Sequence, residues 1–135
     1  MLYKEYWKEI RDMKKRLNRI QINNLVKDIG FSLPQDYIAY LNKLEEFEVE
    51  SNYNYINFWP LSDLKEFNDE CESQIYIPNY YILGTDGGGT ALALNKSTHE
   101  LFFTEMIGMN ETDIWKIASS FSHFMSRFEK EVIEI

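Results

Sequence analysis

The segment Thr85-Asp86-Gly87-Gly88-Gly89-Thr90 is where residue types and their order first suggest chemistry. Consecutive glycines bring backbone N–H groups close to a bound anion, and an aspartate beside them can hold the metal ion of a nucleotide. Here the segment stands alone. The chain has no Gly-Lys-[Ser/Thr] phosphate-binding sequence and no second phosphate loop. Its 135 residues make one domain, whereas nucleotide-closing enzymes of this kind use two. The glycines read instead as a source of positive φ between two strands, with Asp86 bonding the backbone of its own turn. Nucleotide binding at Asp86–Thr90 stays as the enzyme-class alternative.

Nucleophilic catalysis needs a serine or cysteine, a histidine and an orienting carboxylate. The two histidines are His99, in a turn with Ser97 and Glu100, and His123, beside Ser122. Neighbouring helix positions point about 100° apart, so Ser122 and His123 do not face each other. No Gly-x-Ser-x-Gly elbow is present. Cys71 is the single cysteine and stands between Glu70 and Glu72, whose charge raises a thiol's pKa and dulls it as a nucleophile. One cysteine excludes an internal disulfide and a thiolate metal cluster, and two histidines leave any zinc site dependent on carboxylates. Carboxylate pairs such as Glu45/Glu46 and Glu70/Glu72 are what an acidic surface supplies anyway. The sequence therefore predicts no catalytic residue, no metal and no cofactor.

The net charge of −8 is unevenly spread. Residues 1–30 hold eight basic side chains (Lys4, Lys8, Arg11, Lys14, Lys15, Arg16, Arg19, Lys27) against four acidic ones (Glu5, Glu9, Asp12, Asp28), a net of +4. The remaining 105 residues hold six basic and eighteen acidic side chains, a net of −12. Within residues 36–72, ten acids face two lysines. A body of that sign repels nucleic-acid phosphate and speeds encounter with basic proteins. Its plainer use is to keep an aromatic-rich chain in solution. Nucleic-acid readout would need a basic face interleaved with exposed aromatics, which the body lacks. In the basic N-terminal run, acids recur at helical spacing (Glu5–Lys8, Glu5–Glu9, Asp12–Arg16), the pattern of a solvated helix face.

Apolar residues make up 44% of the chain, charged residues 27% and aromatics 16%, enough to build a core without a disulfide or metal staple. No apolar run reaches the length of a signal-peptide core or a membrane span. With one free cysteine as well, a soluble cytoplasmic protein is expected.

Helical spacing recurs over residues 3–19 (Tyr3, Trp7, Ile10, Leu17), expected to form a peripheral helix, and again over 20–29, where Gly30 supplies a stop. A helix over 34–46 is expected to start at Pro34, capped by Ser32 or Leu33, with Tyr37, Ile38, Leu41 and Leu44 on one side. Residues 47–52 read as an acidic connector and Tyr53–Trp59 as a strand ended by Pro60. Ser62 caps a short helix over about 62–70. Tyr80–Leu83, Thr90–Leu94 and Leu101–Thr104, separated by turn residues, make an antiparallel meander. A long final helix, capped by Asn110 or Thr112, carries the stripe Ile114, Ile117, Ala118, Phe121, Phe124, Met125 and Phe128. The class is α+β: one domain over 1–135, with N-terminal helices and a long C-terminal helix on a mainly antiparallel sheet.

The order of four landmarks resembles the SUKH superfamily, the Smi/Knr-type domain. They are Leu33-Pro34-x-Asp36-Tyr37 opening a helix, Phe58-Trp59-Pro60-Leu61 before a short helix, Leu83-Gly84-Thr85-Asp86-Gly87-Gly88-Gly89 leading a hairpin, and Ile117-Ala118-x-Ser120-Phe121-x-x-Phe124 on the closing helix. The likeness spans about residues 7–128 and departs at Lys43-Leu44-Glu45-Glu46-Phe47, where many members carry Asn-Gly. It implies helices against a curved sheet and no established catalytic residues. Leu33, Pro34, Tyr37, Trp59, Gly84, Asp86, Gly87, Gly88, Phe121 and Phe124 are then structural positions, Trp59 and Phe121 in the core. Bacterial members of the superfamily resemble immunity proteins of polymorphic toxin systems, and eukaryotic members act as regulators or scaffolds.

Together these readings predict a cytoplasmic, non-enzymatic immunity protein that binds a toxin domain, such as a nuclease or deaminase, through an acidic surface. No nucleic acid or membrane is expected as partner. The alternative is a non-catalytic adaptor. The candidate partner-binding residues are Glu45, Glu46, Glu48, Glu50, Asp63, Glu66, Asp69 and Glu70, with whichever of Tyr53 and Tyr55 is exposed as the anchor.

Overall fold

The computed structural model describes residues 17–133, so the helix expected over 3–19 lies outside the described residues except for its last three positions. There Leu17 and Asn18 are not helical, and Asn18 begins a new element. Its side chain accepts the Gln21 N–H at 2.9 Å while the Gln21 side chain accepts the Asn18 N–H at 2.9 Å, a reciprocal cap that starts α1, Arg19–Ile29. Gly30, at φ +82°, ends it as the sequence predicts, by donating its N–H to the Val26 carbonyl.

Helix α2 spans Gln35–Lys43, shorter than the expected 34–46. Pro34 precedes its first turn, and neither Ser32 nor Leu33 caps it; the helix has no side-chain cap. Tyr37, Ile38 and Leu41 are its buried face.

The expected connector over 47–52 is a strand, β1 (Glu48–Glu50), which pairs with β2 (Tyr55–Phe58); Tyr53 and Asn54 belong to the turn between them. Three residues with a single apolar side chain, Val49, are too few to show alternation in sequence. A 3-10 turn at Leu61–Asp63, not a Ser62 cap, leads into α3 (Leu64–Glu70), followed by the short helix α4 (Ser73–Tyr76). The meander follows as β3 (Tyr80–Thr85), β4 (Thr90–Asn95) and β5 (Leu101–Glu105).

The final helix is divided. Ile114–Ala118 is strand β6, paired with β5, and α5 begins only at Phe121 and runs to Lys130. The spacing Ile114, Ile117, Ala118, Phe121 fits a helix, yet Ile114-Trp115-Lys116-Ile117 is rich in β-branched and aromatic side chains and returns, after the 106–113 loop, along the free edge of β5. Ser120 is the true cap: its side chain accepts the His123 N–H at 3.1 Å. Asn110 and Thr112 instead bond each other in the turn before β6.

The six strands form one curved antiparallel sheet in sequential order, β1 to β6. In β4 large and small side chains alternate. Leu92 and Leu94 join Ile56, Phe58, Tyr81 and Phe103 under α2 and α5, whereas Ala91 and Ala93 face Ile77 and Met109 in a second, thinner cluster. Alanine on that face lets α4 and the 106–113 loop approach closely. Under the helices an aromatic row links three elements: Tyr37–Phe121 at 5.4 Å, Phe58–Phe121 at 6.1 Å and Phe124–Phe128 at 5.9 Å between ring centroids. Trp59, expected in the core, is half-buried and stands edge-on to Phe67 at 5.3 Å, touching both clusters.

Two fully buried polar side chains contrast. Asn68 donates to the Leu64 and Ile82 carbonyls (both 2.9 Å) and accepts from the Ile82 N–H (2.9 Å) and the Ser73 hydroxyl (2.6 Å). The Tyr37 hydroxyl has no hydrogen-bond partner among the described residues. Asn68→Ala is therefore expected to cost about 3 kcal/mol in urea unfolding, because Ile82 and Ser73 lose their partners inside the protein. Tyr37→Phe removes only an unpaired hydroxyl and should leave the unfolding midpoint unchanged or raise it, by up to about 1 kcal/mol. Equal losses in both variants would contradict this assignment of the buried hydrogen bonds.

Candidate functional site

The fold divides the candidate residues into two groups. Glu45, Glu46, Glu48, Glu50, Tyr53 and Tyr55 lie on the β1–β2 hairpin and its approach, while Asp63, Glu66, Asp69 and Glu70 lie on the 3-10 turn and α3.

On the hairpin, register sets the orientation. Val49 pairs with buried Ile56, so Glu48 (opposite Asn57) and Glu50 (opposite Tyr55) fall on the other side of the ribbon and are exposed. The Tyr55 phenol's pKa is raised, first by local desolvation and then by the neighbouring Glu48 carboxylate and the Glu50 charge. Gly87, at φ +84°, lies under the Tyr55 ring: a Cβ there would approach Tyr55 Cε1 to 2.9 Å. The hairpin and the glycine loop are thus one surface. Tyr53 is the exposed aromatic of the pair, at 50%. Beneath it a pocket of about 270 Å³ opens between Tyr55, Asp86, Phe124 and Val132.

This surface is held from below. Asn54 donates to the Phe128 and Glu131 carbonyls (2.8 and 2.6 Å) and accepts the Ile133 N–H (3.0 Å), while the Ser51 hydroxyl donates to the Phe128 carbonyl (2.6 Å). These contacts satisfy carbonyls that the end of α5 leaves open. The hairpin tip is therefore anchored.

The second group borders a groove of about 590 Å³ between α1 and α3. Glu66, Asp69 and Glu70 line it; Asp63 does not. Asp28 of α1 faces them, a residue the sequence reading left among the N-terminal charges, although Gln21, Asn24 and Asp28 recur at the spacing of one helix face. Lys65 bonds Asp69 at 2.7 Å; this contact, and Asp28 beyond it, raise the lysine's pKa.

Both histidines and Ser122 make contacts within the fold. His123 Nδ1 accepts the Ser119 N–H (2.9 Å), and the Ser122 hydroxyl donates to Asp36 (2.7 Å), tying α5 to α2. His99 Nε2 bonds the Ser32 carbonyl at 2.8 Å. Asp86 Oδ1 accepts the N–H groups of Gly88 (2.8 Å) and Thr90 (3.2 Å), the self-bonded turn expected of it. Among the described residues no three His, Cys, Asp or Glu side chains are placed to share a metal ion, and no helix is long and apolar enough to cross a membrane.

Burial pushes the Cys71 thiol pKa up, more than Asp69 does, against hydrogen bonds with Ser73 that lower it. At neutral pH Cys71 should react with iodoacetamide at least about tenfold more slowly than a free thiol, and at the free rate once the chain is unfolded in urea. A native rate equal to the unfolded one would show the thiol exposed and reactive.

A search of curated proteins found no match to the sequence. The family profile described as SMI1 / KNR4 family (SUKH-1) matches residues 17–127, most of the chain and every element from α1 into α5. The chain belongs to the SMI1/KNR4 (SUKH-1) family.

Proposed function

We propose that this chain is an immunity-type protein of the cytoplasm that binds and blocks a basic toxin domain, one that acts on nucleic acid, and itself transforms no substrate. The observation that carries the reading is the hairpin surface. Glu48 and Glu50 project from one side of a two-stranded ribbon, Tyr53 stands exposed at its tip, and Asp86 adds a carboxylate from the adjoining loop. An anionic face with a half-exposed aromatic suits a partner whose own face is built to hold phosphate. Rigidity adds to this. Because Asn54 and Ser51 already order the turn, binding loses little conformational entropy. Family membership agrees, since the related bacterial proteins resemble immunity proteins, and the engagement of His99, Ser122, His123 and Cys71 in structural contacts agrees with a binding role.

The product of the adjacent gene is the first partner to test, and co-expression should protect cells from it. Glu48→Lys combined with Glu50→Lys is expected to slow association at least about tenfold and to flatten its salt dependence, with the melting temperature little changed. Tyr53→Ala should act on dissociation instead, speeding it by about tenfold. Full protection by the doubly reversed chain would remove the hairpin from the interface. If the neighbouring product is neither bound nor toxic, the immunity reading fails, and an adaptor role through the same surface replaces it.

A further inference from the structure

Helix α1 buries none of its eleven residues fully, and Ile20 is 71% exposed. Ile22, Leu25 and Ile29 pack on the core only partly buried, and a helix of that length depends on packing for its stability, so further apolar contact along its open side would stabilise α1. The groove beside it has the chemistry to supply that contact. Its apolar lining is the half-buried Leu17 and Leu25, backed by the fully buried Leu61. Asp28, Glu66, Asp69 and Glu70 against Lys65 give its rim a net charge of −3. Leu17 is also pinned. Its N–H donates to Asn42 Oδ1 (3.3 Å) and its carbonyl accepts from Asn42 Nδ2 (3.2 Å), so the preceding chain starts from a fixed point that itself lines the groove.

Residues 1–16 precede that point and lie outside the described residues. They carry six basic side chains (Lys4, Lys8, Arg11, Lys14, Lys15, Arg16) and three acidic ones (Glu5, Glu9, Asp12), a net of +3, with Tyr3, Trp7 and Ile10 at helical spacing. We propose that residues 1–16 of this chain occupy the groove between α1 and α3, with their aromatic and aliphatic side chains on the leucine lining and their bases against the acidic rim. Length permits it: even at the 1.5 Å rise of a helix, sixteen residues would reach about 24 Å, more than twice the length of α3. Tethering favours it, because a segment joined to a residue that lines its own site competes at millimolar effective concentration. The consequence is a division of labour. The α3 acids are matched within the chain, and the hairpin acids remain for a partner. The inference does not rest on the immunity reading, because it concerns a different surface.

Hydrogen exchange read by mass spectrometry on the full chain tests it, with a synthetic peptide of residues 1–16 as reference. The segment should exchange at least about tenfold more slowly in the chain than in the peptide. Glu66→Lys with Asp69→Lys and Glu70→Lys should return it to the peptide rate, while β3–β5 stay as protected as before. Peptide-like exchange in the unaltered chain overturns the proposal, as does protection that survives the reversals in a chain whose sheet is intact. Protection that fades on dilution also overturns it and gives the groove to a second copy.

Discussion

Strand β3 needs hydrogen-bond partners along its outer edge for longer than β2 can provide them. Phe58 and Asn57 pair with Gly84 and Thr85, the Trp59 N–H still reaches the Leu83 carbonyl at 2.8 Å, and then Pro60 turns the chain away. A close approach makes even this pairing possible, since a Cβ at residue 84 would run into the Asn57 carbonyl oxygen. Beyond that point the Asn68 side chain stands in for a strand, giving Ile82 both a donor and an acceptor. That substitution fixes α3 against the sheet. It sets the far wall of the groove, just as Gly84 sets the path of β2 and therefore the position of the hairpin.

The polar side chains follow the same economy. Asp36 reads α5 through Ser122, His123 closes the turn before its own helix, and Asp86 holds the glycine loop in shape. Each could belong to a catalytic set in another protein; here each is committed to joining elements. The surface around the β1–β2 hairpin, by contrast, carries exposed charge at Glu48 and Glu50 and exposed aromatic area at Tyr53.

Much of this architecture was legible in the chain, and the failures have physical causes. Gly30, the β3–β5 meander, the turn role of Asp86 and the buried aromatics Tyr37, Phe121 and Phe124 follow from local chemistry that no distant contact overrides. Ile114 to Ala118 misled because spacings of three and four satisfy a helix while alternation within the same residues satisfies a strand, and only the waiting edge of β5 decides. β1 was hidden because one apolar residue between glutamates carries no period. The separation of the acidic residues into two groups depends on which elements neighbour one another in space, which composition does not encode. Asp28 faces α3 only once α1 has docked.

The clamp under the hairpin has a bearing on how the protein is made. Its hydrogen bonds join Ser51 and Asn54 to backbone 74 to 79 residues further along the chain. During synthesis the ribbon that carries Glu48, Glu50 and Tyr53 is therefore translated early and locked late, after residue 133 has emerged. Until then the nascent hairpin lacks its fixed geometry, and the finished ribbon is a property of the completed fold.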